Sequence, residues 1–184
     1  MITRKEAFIL LRRYLRDEDN IKYSIAVEAI LREIAKKIDR DEELWGLTGL
    51  LHNLDYEFTR NNPEQRGNLS SQLLEDIFHE NGINAIRANN YVHTDYMPTT
   101  SLDKSLIAAV AITDLIFEIS RSLPTRKIED ITIERLKIKF LDSSYAKKIN
   151  RNKIKLCTDV GIDLKTFLKI SLDALRGISN KLII

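Results

Sequence analysis

Cysteine is nearly missing from this chain. One residue in 184, Cys157, excludes an intramolecular disulfide and a zinc site built from thiolates. Glycine and proline are scarce too, at six and three. That is too few for a sandwich or barrel turning about every ten residues, and it points to long helices. No apolar run approaches the ~18 residues of a membrane-crossing helix. The short run Ala7–Leu11 meets Arg12 and Arg13 at once, which is not the pattern of a secretory leader. Leu182–Ile184 is too short for an anchor, so a cytoplasmic protein with no membrane partner is expected. Neither sign of charge dominates: 29 basic against 27 acidic side chains leave +2, which names no partner.

What is present is the mixture of an ordinary folded chain, 43% hydrophobic and 30% charged, of a length that suits one domain with its own core. Thr3 and Glu6 have capping-box spacing ahead of Phe8, Leu11, Tyr14 and Leu15, which predicts a first helix over about Thr3–Leu15. After a polar break at Asp17–Asn20, apolar residues at helical spacing mark a second helix from Ile21 to about Ile38. A third, Glu42–Asn53, is apolar on nearly every side and belongs at the centre of a bundle. Further helices are expected at Glu64–Glu80 (stopped by Asn81–Gly82), Asn84–Tyr91, Leu102–Ser120, Ile133–Leu141, Ser144–Val160 with a break, and Asp163–Ile178. Loops fall at 55–65 and 93–101, with a linker around Pro124. The fold class is all-α, one bundle, with Val27, Ile30, Leu47, Leu50, Leu51, Leu106, Ala109 and Leu115 in the core. Cys157 reads as structural.

Three histidines could carry chemistry. His79 reads as a residue at the end of the fourth helix, against its carbonyls, and His93 as a solvated loop residue beside Asp95. His52 ends the most apolar helix, in LTGLLHNLDYEF, where an unpaired imidazole would cost a few kcal/mol. Asn53 and Asp55 are its nearest polar neighbours in sequence. Such a histidine is more often a satisfied core residue than a ligand.

The segment KYSIAVEAILREIAKKIDRDEELWGLTGLLHNLDYE (Lys22–Glu57) resembles the HD-domain superfamily of metal-dependent phosphohydrolases, and the small bacterial single-domain members most closely. SLIAAVAITDL (Ser105–Leu115) is similar to the family's later ligand-bearing helix, and Ile138–Leu175 to its C-terminal helices. The resemblance implies a helical bundle around a metal-dependent phosphohydrolase site. The ligand positions nevertheless depart from the family's pattern. Its first histidine falls on Tyr23 and its His-Asp doublet on His52-Asn53. The histidine of its PEKHG-like stretch falls on Arg66 of PEQRG, the next on Asn89, and the later aspartate on Val110. Of the six positions only His52 keeps its residue, although Asp55, Tyr56, Glu57, Pro63, Glu64 and Gly67 around them match.

One imidazole and one amide do not offset the dehydration of a dication, so no cofactor is expected. The resemblance then implies a degenerate phosphohydrolase relative without metal or hydrolytic activity, kept as a ligand-binding or interaction module. In that reading Arg66, His52 and Tyr23 receive a phosphate-bearing small molecule, with Arg66 forking its donors onto the oxygens. The ordinary alternative for Arg66 is a solvated side chain paired with Glu64 or Glu57. The competing functional expectation is an active metal-dependent phosphohydrolase acting on a nucleotide or another phosphate ester. Its site would be rebuilt from His52, Asn53 and Asp55, with His93 folding back as a further metal ligand. A third class, nucleic-acid binding, rests on Thr132–Lys155, where eight basic residues face only Glu134 and Asp142 and where Phe140 and Tyr145 are interleaved. Lysines on amphipathic helices are usually a solvated face, so weak, salt-sensitive binding is the most this segment implies. The oligomeric state is left open.

Overall fold

Helix α1 (Arg4–Tyr14) begins with the expected capping box. Thr3 Oγ1 accepts from the Glu6 N–H, and the Glu6 carboxylate accepts from the Thr3 N–H. Asp17 caps α2 (Glu18–Lys37), so this helix starts three residues before Ile21. Asp41 caps α3 (Glu42–Leu51) by accepting from Glu43 and Leu44. Helix α3 is buried from Leu44 to Leu51 and ends one residue before His52, which caps its C-terminus. The computed structural model describes residues 2–182. Among them no strand occurs, and no helix is long and apolar enough to cross a membrane.

The expected helix over Glu64–Glu80 is two shorter pieces. A single 3-10 turn, Pro63–Gln65, is followed by α4 (Asn68–Leu74). Gly67 separates them in the left-handed region, φ 87°, where a side chain would also meet the Ile86 carbonyl. Asp55 fixes this junction from outside, its Oδ2 accepting from the Gly67 and Ser70 N–H groups at 2.7 and 2.9 Å. The next helix, α5 (Glu80–Asn89), starts four residues before the expected Asn84. Asn81–Gly82 is not a stop but its first turn, and His79 is its N-cap, accepting from the Asn81 N–H. His93 lies on a four-residue helix, α6 (Tyr91–Thr94).

A second capping box, Thr100 with Asp103, starts α7 (Ser101–Ser122), the spine of the bundle. It packs against α2, α5 and the C-terminal helices α8 (Ile133–Leu141), α9 (Arg151–Lys155) and α10 (Leu164–Gly177). The expected helix Ser144–Val160 is present only as α9 and the 3-10 segment Leu156–Val160. Asp163 caps α10 as anticipated. All eight expected core residues are fully buried, and Cys157 joins them, its thiol pushed up to about 12 by burial. Helices α2 and α3 cross closely at Gly49, where an added Cβ would stand 2.9 Å from the Glu28 backbone. Glu28 is buried at this crossing and accepts from both Arg4 and Arg32, which ties α1 to α2.

Candidate functional site

The close α2–α3 crossing, the α7 spine and the Arg66 turn leave a recess of about 400 Å³ between them. Its size is toward the lower end of small-molecule sites. Each element contributes through its own periodicity. Asp19, Asn20 and Tyr23 come from α2; His52, Asn53 and Tyr56 from the end of α3 and the turn beyond it. Arg66 and Asn89 add to this lining. On α7, Val110, Asp114, Phe117 and Arg121 recur at the spacing of one helix face.

His52 is 4% exposed. Its Nδ1 lies 2.7 Å from the carbonyl of Gly49, one turn back, so Nδ1 carries the proton and Nε2 is left as a lone-pair acceptor. Burial, helped by the positive charge of Arg66, lowers its pKa to about 4, so the ring is neutral near pH 7. Tyr23 lies beside it, ring centroids 5.9 Å apart, with the edge of Phe117 on Tyr23 at the same distance. The Tyr23 hydroxyl donates to Asp114, and burial with the adjacent carboxylate pushes its pKa well up. Water reaches Asp114 through the open mouth, but the surrounding protein crowds it and raises its carboxyl to about 6. Arg121 and Lys153 oppose that shift.

Arg66 is half-buried. Its guanidinium lies 4.6 Å over the Tyr56 ring, and its Nε reaches Thr59 at 3.5 Å. Among the described residues it has no acidic partner. Glu57, expected as one, instead accepts from the Arg16 and Asp17 N–H groups and the Asn20 amide, capping the start of α2. The backbone at Arg66 is held from the cap between α5 and α6: the Asn90 amide donates to the carbonyls of Pro63 and Arg66, at 3.0 Å each.

The structure therefore brings Tyr23, His52, Asn53, Arg66, Asn89 and Val110 to one cavity. It does not bring Asp55 or His93 there. Asp55 gives its Oδ2 to the Gly67–Ser70 junction, keeps its Oδ1 buried without a partner among the described residues, and borders a separate apolar recess with Tyr14 and Phe58; His93 is exposed on α6. Of α7 the sequence singled out Val110 alone for the site, and Asp114, although inside the compared segment Ser105–Leu115, and Arg121 beyond it were not recognised. The signal was their position one and three turns further along the same face of α7.

A divalent cation, the group the HD resemblance implies, does not fit this donor set. Among the described residues no three His, Cys, Asp or Glu side chains converge on a point that could hold a metal. His52 offers one lone pair, Val110 offers none, and Arg66 adds positive charge beside them.

The basic segment is also altered by the fold. Arg151 makes hydrogen bonds to the carbonyls of Lys139, Phe140, Asp142, Tyr145, Ala146 and Ile149, so its guanidinium is a structural pin rather than a phosphate contact. Phe140 is buried, and Lys139 lies on the Tyr145 ring at 4.1 Å.

Set against family models, curated proteins and solved structures, the chain finds no match in any of the three.

Proposed function

We propose that this chain is a degenerate relative of the HD-domain phosphohydrolases, cytoplasmic, that holds a phosphate-bearing small molecule without a metal and without hydrolysing it. One observation carries the reading. Arg66, on a turn tied down by Asn90, lines the same cavity as His52 and Tyr23 and, among the described residues, makes no ion pair with a carboxylate. Its fork can therefore be given to phosphate oxygens. The Tyr56 face beneath it fixes the guanidinium plane. Neutral His52 adds no repulsive charge, and the Asn53 amide can donate to an anion.

Hydrolysis lacks its usual means here. Without a cation to activate it, water stays near its bulk pKa of about 15.7 and is a poor nucleophile. Asp114 is the one carboxylate on the cavity side of α7, and Tyr23 already donates to it.

The test is elemental analysis of protein purified without chelator, run beside a phosphoester turnover panel and a thermal-shift screen of phosphate compounds. The expected result is no stoichiometric Mn, Fe, Co, Ni or Zn, no turnover, and a melting-temperature rise with phosphate compounds that Arg66→Ala removes. Stoichiometric metal together with turnover would falsify this reading in favour of an active hydrolase built around His52. A mobility shift with nucleic acid that survives physiological salt would move the function to the basic segment instead.

A further inference from the structure

The cavity holds more unpartnered polar groups than a phosphate can use. Among the described residues, the side-chain amides of Asn53 and Asn89 make no hydrogen bond, although Asn53 is only 7% exposed. His52 uses Nδ1 alone, which leaves Nε2 open on a residue that is 4% exposed and lines the recess. Asp114 accepts from Tyr23 on Oδ1, and its Oδ2 has no partner. None of these atoms is shut off from solvent, and polar groups that line one recess without protein partners are open to water or to a ligand.

Their chemistry sorts the cavity into two ends. Arg66 lies over the Tyr56 ring at 4.6 Å, beyond the end of α3, whereas Arg121 lies over the Phe117 ring at 5.9 Å on the α7 face that carries Asp114. Arg121 shares its helix face with an acid, so the phosphate belongs at Arg66. A carboxylate repels phosphate, so what approaches Asp114 must donate. Amides both donate and accept, which matches hydroxyl groups and not an apolar or purely anionic body. Tyr23 and Phe117, set edge to face at 87°, add an apolar stretch of lining against which the C–H groups of a sugar can pack.

We infer that the occupant is a phosphorylated polyol of sugar-phosphate size. Its phosphate lies on Arg66, and its hydroxyls bridge Asn53, Asn89 and the free oxygen of Asp114. This rests on the phosphate reading above and adds the identity of the rest of the ligand.

The experiment is isothermal titration of the full chain with three probes: inorganic phosphate, ribose 5-phosphate and phenyl phosphate. Ribose 5-phosphate should bind about tenfold or more tighter than inorganic phosphate, the effect of one or two net hydrogen bonds. Phenyl phosphate should gain nothing over inorganic phosphate. Asn89→Ala, on the cavity rim, and Asp114→Asn should each reduce the ratio of ribose 5-phosphate to phosphate affinity, with circular-dichroism melts confirming that both variants fold. Phosphate binding that depends on Arg66, with no gain for ribose 5-phosphate or an equal gain for phenyl phosphate, overturns this inference and leaves the phosphate reading standing. No Arg66-dependent binding of any of the three removes both.

Discussion

The Tyr23 hydroxyl donates to Oδ1 of Asp114 at 2.9 Å, with the Val110 carbonyl 3.1 Å away. This contact joins α2 to α7 across the recess. It places a phenol where the HD resemblance implies a histidine, and it ties up one oxygen of the only cavity-facing carboxylate on α7. Tyr23→Phe removes a donor that favours the ionised carboxylate. The Asp114 titration should then move above its present value of about 6, read by carboxyl carbon NMR. An unchanged titration would mean that the hydrogen bond does not form in solution.

His52 and Asp114 should give opposite pH dependences of stability. The His52 pKa is depressed to about 4, so its contribution is complete above the ordinary 6.5 and is lost as pH falls from there toward 4. The Asp114 pKa is raised from 3.8 to about 6, so its contribution is greatest below 3.8 and is lost as pH rises to 6. The two partly cancel between about pH 4 and 6. His52→Gln should leave a protein whose urea midpoint falls with rising pH in that window. Asp114→Asn should steepen the acid loss. The His52 effect is about 2–3 kcal/mol, and the Asp114 effect, reduced by water at the cavity mouth, about 1 kcal/mol. Parallel pH profiles for the two variants would contradict the assigned environments.

Arg151 should matter more to stability than any other member of the basic segment. It satisfies six backbone carbonyls around the Leu141–Asn150 turn, where Ala146 sits in the left-handed region at φ 47°. Arg151→Ala should cost about 3 kcal/mol, because several carbonyls lose their donor together. Lys147→Ala and Lys148→Ala, both at exposed positions, should stay within about 0.5 kcal/mol. Chemical denaturation separates these outcomes, and equal small effects at all three positions would count against the pin.

Gly49→Ala tests the α2–α3 crossing that frames the recess. The new methyl group meets the backbone of Val27 and Glu28 at 2.9 Å rather than a side chain that could swing away. The helices must separate, at about 1–3 kcal/mol. His52, one turn further along, should shift with α3, and its imidazole NMR signals should report it. A neutral substitution would show the helices crossing with more room.

The bundle was legible because its helices carry strong local signals. Thr3, Asp163 and the apolar faces of α2, α3 and α7 each specify the same element that tertiary packing then uses. The stretch from Glu64 to Tyr91 was harder to read. Its break depends on Asp55, twelve residues before Gly67, capping α4 from another part of the chain, and no local pattern contains that contact. His79 could be read locally as a helix end, but the turn ahead of it frees its Nδ1 to begin the next helix. Position-by-position resemblance found Tyr23, His52, Asn53, Arg66 and Asn89 for the cavity. It missed Asp114 and Arg121, because the resemblance marks Val110 as a single position and not the helix face it belongs to. Asp55 and His93 were plausible as ligands by residue type alone; the fold turns them elsewhere.

The central claim is that this recess takes phosphate and not a dication. A crystal grown with manganese and inorganic phosphate, with data collected at the manganese absorption edge, tests it most directly. The account predicts tetrahedral density against the Arg66 guanidinium and no anomalous peak within coordination distance of His52 Nε2. An anomalous peak bonded to that nitrogen would contradict it.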